Sequence, residues 1–137
     1  MKTAVDTNVL SAIWGREPGS AELVRLLGEA RRMGAVVICG VVLAETLANP
    51  QVKEEFIRAF LDDTGIRLDA CTDEALWLEA GRRYARQVQR RKRLPKEPVK
   101  RVLADFIVGA HAMLRTDRLI TLDQRRYRTD FPELQLL

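Results

Sequence analysis

The sequence predicts a single α/β domain over residues 1–137, built on a mainly parallel central sheet of about five strands flanked by helices. Three observations predict it. Apolar runs of strand length alternate with segments of helical periodicity along the whole chain. One of those runs, Ala35-Val36-Val37-Ile38-Cys39, is continuously apolar between Gly34 and Gly40, the pattern of a strand buried on both faces. The first run, Ala4-Val5, breaks into a helix at an acid, Asp6, at the carboxyl end where open parallel sheets bind ligands. A length of 137 residues suits one domain, and an apolar fraction of 47% supplies its core.

The elements follow in order. The first strand is expected over residues 2–6, with Thr7 and Asn8 able to turn the chain or cap a helix. Val9, Leu10 and Ile13 then recur at helical spacing as far as Trp14. After a loop containing Pro18, Ser20 is expected to cap a helix that presents Leu23, Leu26, Leu27 and Ala30 on one face and stops at Gly34. The buried strand over 35–39 leads into a helix over 41–48, and Asn49-Pro50 turns the chain. The next helix, over 52–62, should point Phe56, Ile57, Phe60 and Leu61 inward and end at Gly65. Residues 66–70 alternate as an edge strand does. Thr72 is expected to cap a long helix over 73–91 with Leu76, Ala80, Tyr84 and Val88 as its stripe. Beyond a loop at 94–98, a helix from Val99 through Leu114 is apolar nearly all round and therefore buried. A fourth strand at 119–122, a short helix and docking turn marked by Tyr127 and Phe131, and a last strand at 134–137 complete the chain.

Composition narrows the chemistry. The longest apolar stretch, 106–114, is too short to span a bilayer, and the N-terminus reaches Asp6 too soon for a signal peptide, so a cytoplasmic protein with no membrane contact is expected. Cys39 and Cys71 read as small buried thiols beside apolar runs. With a single His in the chain, a zinc site of the usual Cys/His kind is disfavoured, and a metal would be held mainly by oxygen. The net charge of +4 is compatible with a nucleic-acid partner. Much of the positive charge gathers in Arg82, Arg83, Arg86, Arg90, Arg91, Lys92, Arg93, Lys96, Lys100 and Arg101, with Glu97 the one acid among them. Such a run is either a solvated face or a contact for an RNA or DNA backbone, for which Arg90, Arg91, Lys92 and Arg93 are the candidates.

Four acids share one description. Asp6 and Asp123 follow strand ends, Glu45 lies on the helix after the second strand, and Asp105 lies near the start of the helix leading into the fourth. Asp6 could serve only as a helix cap, and Glu45 could be an ordinary exposed position of an amphipathic helix. All four can also face one edge of the sheet, where their mutual repulsion would call for a cation. A hard divalent ion with oxygen ligands answers that repulsion, lowers the pKa of bound water and stabilises charge on a phosphoryl group. His111 is expected to be a packed or rim histidine, and Asp117 a turn residue.

Asp6-Thr7-Asn8, Leu43-Ala44-Glu45, Asp105-Phe106-Ile107-Val108-Gly109-Ala110-His111-Ala112 and Thr121-Leu122-Asp123 resemble, in order and approximate spacing, the four signatures of PIN-domain nucleases. The resemblance covers essentially the whole chain, and a small PIN domain of this kind looks most like a VapC-type toxin of a bacterial or archaeal toxin–antitoxin pair. It implies an endoribonuclease dependent on Mg²⁺ or Mn²⁺, usually a homodimer, inhibited by a cognate antitoxin. Carried over residue by residue, it makes Asp6, Glu45, Asp105 and Asp123 the catalytic and metal-site acids, and Thr7, Asn8 and Thr121 the supporting polar positions. Cys39-Gly40 departs from it, standing where the family often has a Ser after the second strand, and the basic tract is unusually heavy. The competing expectations are a PIN domain that processes RNA without an antitoxin, a binding-only PIN domain, and a receiver-like signalling domain. The last wants an acid pair near the first strand and a late Lys, where this chain has Asp6 alone and Thr121-Leu122-Asp123.

Overall fold

The computed structural model describes residues 1–70, 72–93 and 102–137, with the backbone alone at Arg93. Five strands, β1 (Thr3–Val5), β2 (Val36–Cys39), β3 (Arg67–Asp69), β4 (Arg118–Ile120) and β5 (Gln135–Leu136), form one sheet in the order β3-β2-β1-β4-β5. All four pairings are parallel. Among the described residues seven helices accompany them: α1 (Thr7–Trp14), α2 (Ser20–Met33), α3 (Gly40–Leu47), α4 (Glu54–Thr64), α5 (Glu74–Arg93), α6 (Leu103–Arg115) and α7 (Gln124–Asp130). The expected α/β class with a parallel five-stranded sheet is the observed one. None of the described helices is long and apolar enough to cross a membrane.

The centre of the sheet is where the sequence is most apolar. β1 and β2 are buried at every position, and β3, at the edge, exposes Arg67 and Leu68. α6 buries an unbroken run from Phe106 to Ala112. Gly34 ends α2 and lets the N-terminus lie close against it: a Cβ there would stand 2.1 Å from the Met1 carbonyl oxygen.

Several expectations shift. Gly19, not Ser20, occupies the cap position of α2, and Ser20 is its first residue. At the start of α5, Asp73 does the capping expected of Thr72, its Oδ1 accepting from the Leu76 amide at 3.1 Å. Phe56 is 46% exposed, lying edge-on to Trp14. The buried stripe of α5 is Leu76, Ala80, Arg83 and Gln87, while Trp77 and Val88 stand outside. The stripe is rotated because Arg83 finds partners in the C-terminal segment, which the apolar pattern of α5 alone does not show. Cys71, the loop at 94–98 and the expected helix start at Val99 lie outside the described residues; α6 begins at Leu103.

Candidate active site

The parallel register sets Asp6 beside Thr121. β1 and β4 pair from Thr3↔Arg118 to Val5↔Ile120, and the Asp6 amide continues the ladder by donating to the Ile120 carbonyl at 3.0 Å. Both chains then leave the sheet at its carboxyl edge, the usual ligand side of such sheets.

Asp6 is 7% exposed and is held by three donors. Its Oδ1 accepts from the Thr7 amide at 2.8 Å, so it does cap α1. Its Oδ2 accepts from the Thr121 hydroxyl at 2.8 Å and from the Tyr127 phenol at 3.1 Å. Burial pushes the Asp6 carboxyl above its ordinary value; the bonds from Thr121, Tyr127 and Thr7 pull it back, and the charge of Asp105 raises it further. The net shift is upward, so the fold keeps a carboxylate where its charge is penalised.

The supporting polar positions form one connected network. Thr121 Oγ1 accepts from the Asp123 amide at 3.0 Å and from Asn8 Nδ2 at 3.4 Å. Asn8 Oδ1 accepts from the Leu122 amide at 3.1 Å, closing the turn after β4. Thr7 donates its hydroxyl to Glu45 Oε1 at 2.7 Å, bringing the exposed acid of α3 to the start of α1.

The four acids are gathered to different degrees. Asp105, in the first turn of α6, is near enough for its charge to act on Asp6. Glu45 joins through Thr7, and the carboxylate of Asp123 is engaged by Arg126 at 3.2 Å. Among the described residues no three His, Cys, Asp or Glu side chains close up into a group that could hold a metal ion by themselves.

Cys39 occupies the cap position of α3 with no side-chain capping bond. Burial raises its thiol above the ordinary value, against the weaker pull of the Val42 and Val41 amides, so it stays protonated and inert. His111 is packed, as expected, at 1% exposure, with Nε2 3.1 Å from Asp69 Oδ2. Asp117 acts as a turn residue, accepting from the Lys2 amide at 2.7 Å.

The basic tract divides. Arg83 is buried and ties α5 to the C-terminal segment, donating to both Glu133 oxygens at 2.8 and 3.0 Å and to the Asp130 carbonyl at 2.9 Å. Its guanidinium lies 4.7 Å from the centre of the Phe131 ring. Arg90 pairs with Asp130 at 3.3 Å. Arg82, Arg86 and Lys92 are exposed and Arg91 is half-buried; Lys96, Lys100 and Arg101 lie outside the described residues.

Tyr127 belongs to the site, although its sequence context marks only a docking turn. The signal for it is general: a buried tyrosine needs a partner for its hydroxyl. A separate groove of about 380 Å³ between α1, α2 and α4, lined by Ile13, Leu27, Phe60 and Ile66, shares no residue with the acidic cluster and has no acid in its walls.

The PIN domain family model matches residues 3–132. No curated protein matches the sequence. Two solved structures share the fold at a TM-score of 0.64 and 19% identity. One is of VapBC2 from Rickettsia felis bound to a DNA fragment from their promoter, where the match covers 100% of this chain and 98% of that one. The other is of VapBC-1 from nontypeable Haemophilus influenzae, at 100% and 97%.

Proposed function

The chain belongs to the PIN domain family, and from that membership we propose that it is a divalent-metal-dependent endoribonuclease, the VapC-type toxin of a toxin–antitoxin pair acting in the cytoplasm. The observation that carries the reading is the buried Asp6 carboxylate at the carboxyl end of the central strand, held by three donors and facing the charge of Asp105. A carboxylate fixed in place while its charge is penalised is a seat for a cation.

The donor set fits Mg²⁺ or Mn²⁺. It is all oxygen, and Mg²⁺ keeps several waters and takes one or two carboxylates directly, so a loose set of acids suits it better than a closed cage. Asp6 and Asp105 would hold the ion, with Glu45 and Asp123 holding water around it. When bound, the ion lowers the pKa of the attacking water and stabilises charge on the phosphodiester oxygens. The chain's own part is orientation: Thr121 fixes Asp6, Asn8 fixes the turn that carries Asp123, and Thr7 fixes Glu45. No imidazole or thiolate is required, in keeping with a packed His111 and a protonated Cys39.

Both structures of similar fold are of VapBC, which supports a cognate antitoxin as partner. We place an Arg or Lys of that antitoxin in the acidic cluster, in competition with the metal and bidentate if it is Arg. RNA backbone would run along the basic end of α5, at Arg90, Arg91, Lys92 and Arg93, and the working unit would be a homodimer.

The test is cleavage of cellular RNA by wild type and Asp6→Asn, with Mg²⁺ or Mn²⁺ and with chelator. The variant should remain folded and lose more than about 100-fold in rate. Wild-type cleavage that persists in chelator, or a folded Asn variant as fast as wild type, overturns the metal mechanism.

A further inference from the structure

Tyr127 reaches Asp6 from the far end of the chain, 121 residues away, and is 1% exposed. Its place is over-determined. Phe131 donates its amide to the Tyr127 carbonyl at 2.7 Å, and its ring lies against α6 where Gly109 has no Cβ. Arg83 lies over that ring and grips the Asp130 carbonyl. The short helix α7 is thus docked on α5 and α6, and the Tyr127 phenol arrives at a fixed point.

An ionised carboxylate oxygen has about two lone-pair sites. On Asp6 Oδ2 both are taken, by Thr121 and Tyr127; on Oδ1 one is taken, by the Thr7 amide. We infer that Tyr127 is a positioning residue for the metal site: together with Thr121 it saturates Asp6 Oδ2, so that Asp6 offers a cation one oxygen, Oδ1, in one orientation. The inference rests on the reading of Asp6 as a metal holder. A tyrosine present for packing alone would be matched by phenylalanine; here the hydroxyl lands on the oxygen that Thr121 already engages. Removing a partner that orients a metal-holding group typically costs about 10–100-fold in metal affinity or activity.

The experiment is an Mn²⁺ titration of the metal-free protein, followed by water-proton relaxation, on wild type, Asp6→Asn and Tyr127→Phe. Tyr127→Phe should weaken Mn²⁺ binding by about tenfold with its circular dichroism unchanged. If wild type binds no Mn²⁺, or Asp6→Asn binds it as well as wild type, the metal-site reading falls and the inference with it. If Asp6→Asn loses Mn²⁺ while Tyr127→Phe binds as wild type does, the role of Tyr127 alone is overturned. Should Tyr127→Phe fail to fold, a second comparison decides. The chain has two tyrosines, so a Tyr84→Phe background leaves Tyr127 as the sole site for biosynthetic 3-fluorotyrosine. 3-Fluorotyrosine is the stronger donor, so its hydrogen bond to Asp6 Oδ2 should shift the Mn²⁺ dissociation constant at least about twofold from that of the unlabelled Tyr84→Phe protein. Equal constants overturn the inference.

Discussion

Gly109 shows how one missing methyl group organises the site. A Cβ built there stands 2.3 Å from Phe131 Cε2, far inside van der Waals contact. The ring has little room to retreat, being fully buried between Phe106, Tyr127 and the Arg83 guanidinium. Gly109→Ala should therefore cost about 1–3 kcal/mol, the usual penalty for overpacking a filled core, despite alanine's better helix propensity. Urea unfolding measures it. A midpoint equal to wild type would mean that Phe131 gives way freely and that α7 is not pinned to α6. The glycine belongs to the same sequence signature as Asp105, and the structure gives it a packing task.

At the scale of elements, α5 has two tasks. Arg83 and Arg90 fasten the helix to the C-terminal segment through Glu133 and Asp130. Of the remaining cations in that run of charge, Arg86 and Lys92 are exposed and Arg91 is half-buried. In the sequence all of them look alike, because the acids that separate them lie 40 to 50 residues away. An RNA contact along this end of α5 can therefore be tested at Arg86, Arg91 and Lys92 without loosening the tie through Arg83 and Arg90. Changing Arg86, Arg91 and Lys92 together to Gln should weaken RNA binding and reduce the slope of log affinity against log salt by about 2, at roughly 0.7 for each phosphate of a single strand that the side chains neutralise. The melting temperature should change little. Filter binding of single-stranded RNA at several salt concentrations reads the slope, and an unchanged slope assigns these residues to a solvated face or to the antitoxin.

At the scale of the whole molecule, the fold is legible in the sequence because its signals are repetitive: apolar strand runs, helical periodicity between them, and the alternation that makes a sheet parallel. Asp6 and Asp123 can be placed by counting strand ends, while Glu45 and Asp105 lie on helices and stand out as single acids among apolar residues. What escapes are residues whose meaning depends on a distant partner, such as Tyr127 on Asp6 and Arg83 on Glu133. A third such tie joins the N-terminus, β3 and α6. Asp69 receives Lys2 Nζ at 3.3 Å and lies 3.1 Å from His111 Nε2. His111 is pushed below its ordinary value chiefly by burial, which outweighs the hydrogen bond and charge of Asp69; Lys2 and Arg115 add to the lowering. The sign of the consequence is fixed. Between the unfolded value near 6.5 and the lower folded value, the unfolded chain holds a proton that the folded chain does not, so stability rises with pH. The contribution is complete above the unfolded value and is lost as pH falls through the folded one. This chain has one His, so no second imidazole can supply the effect. Urea unfolding from pH 7.5 down to pH 5, without divalent ions, should show wild type losing stability more steeply than His111→Gln, which has no imidazole to protonate; Gln also leaves a poorer fit at this buried position and should start lower at pH 7.5. The two curves should converge toward acid. Parallel curves would mean that His111 takes up its proton equally well in the folded protein, and that the tie to Asp69 compensates in full for burial.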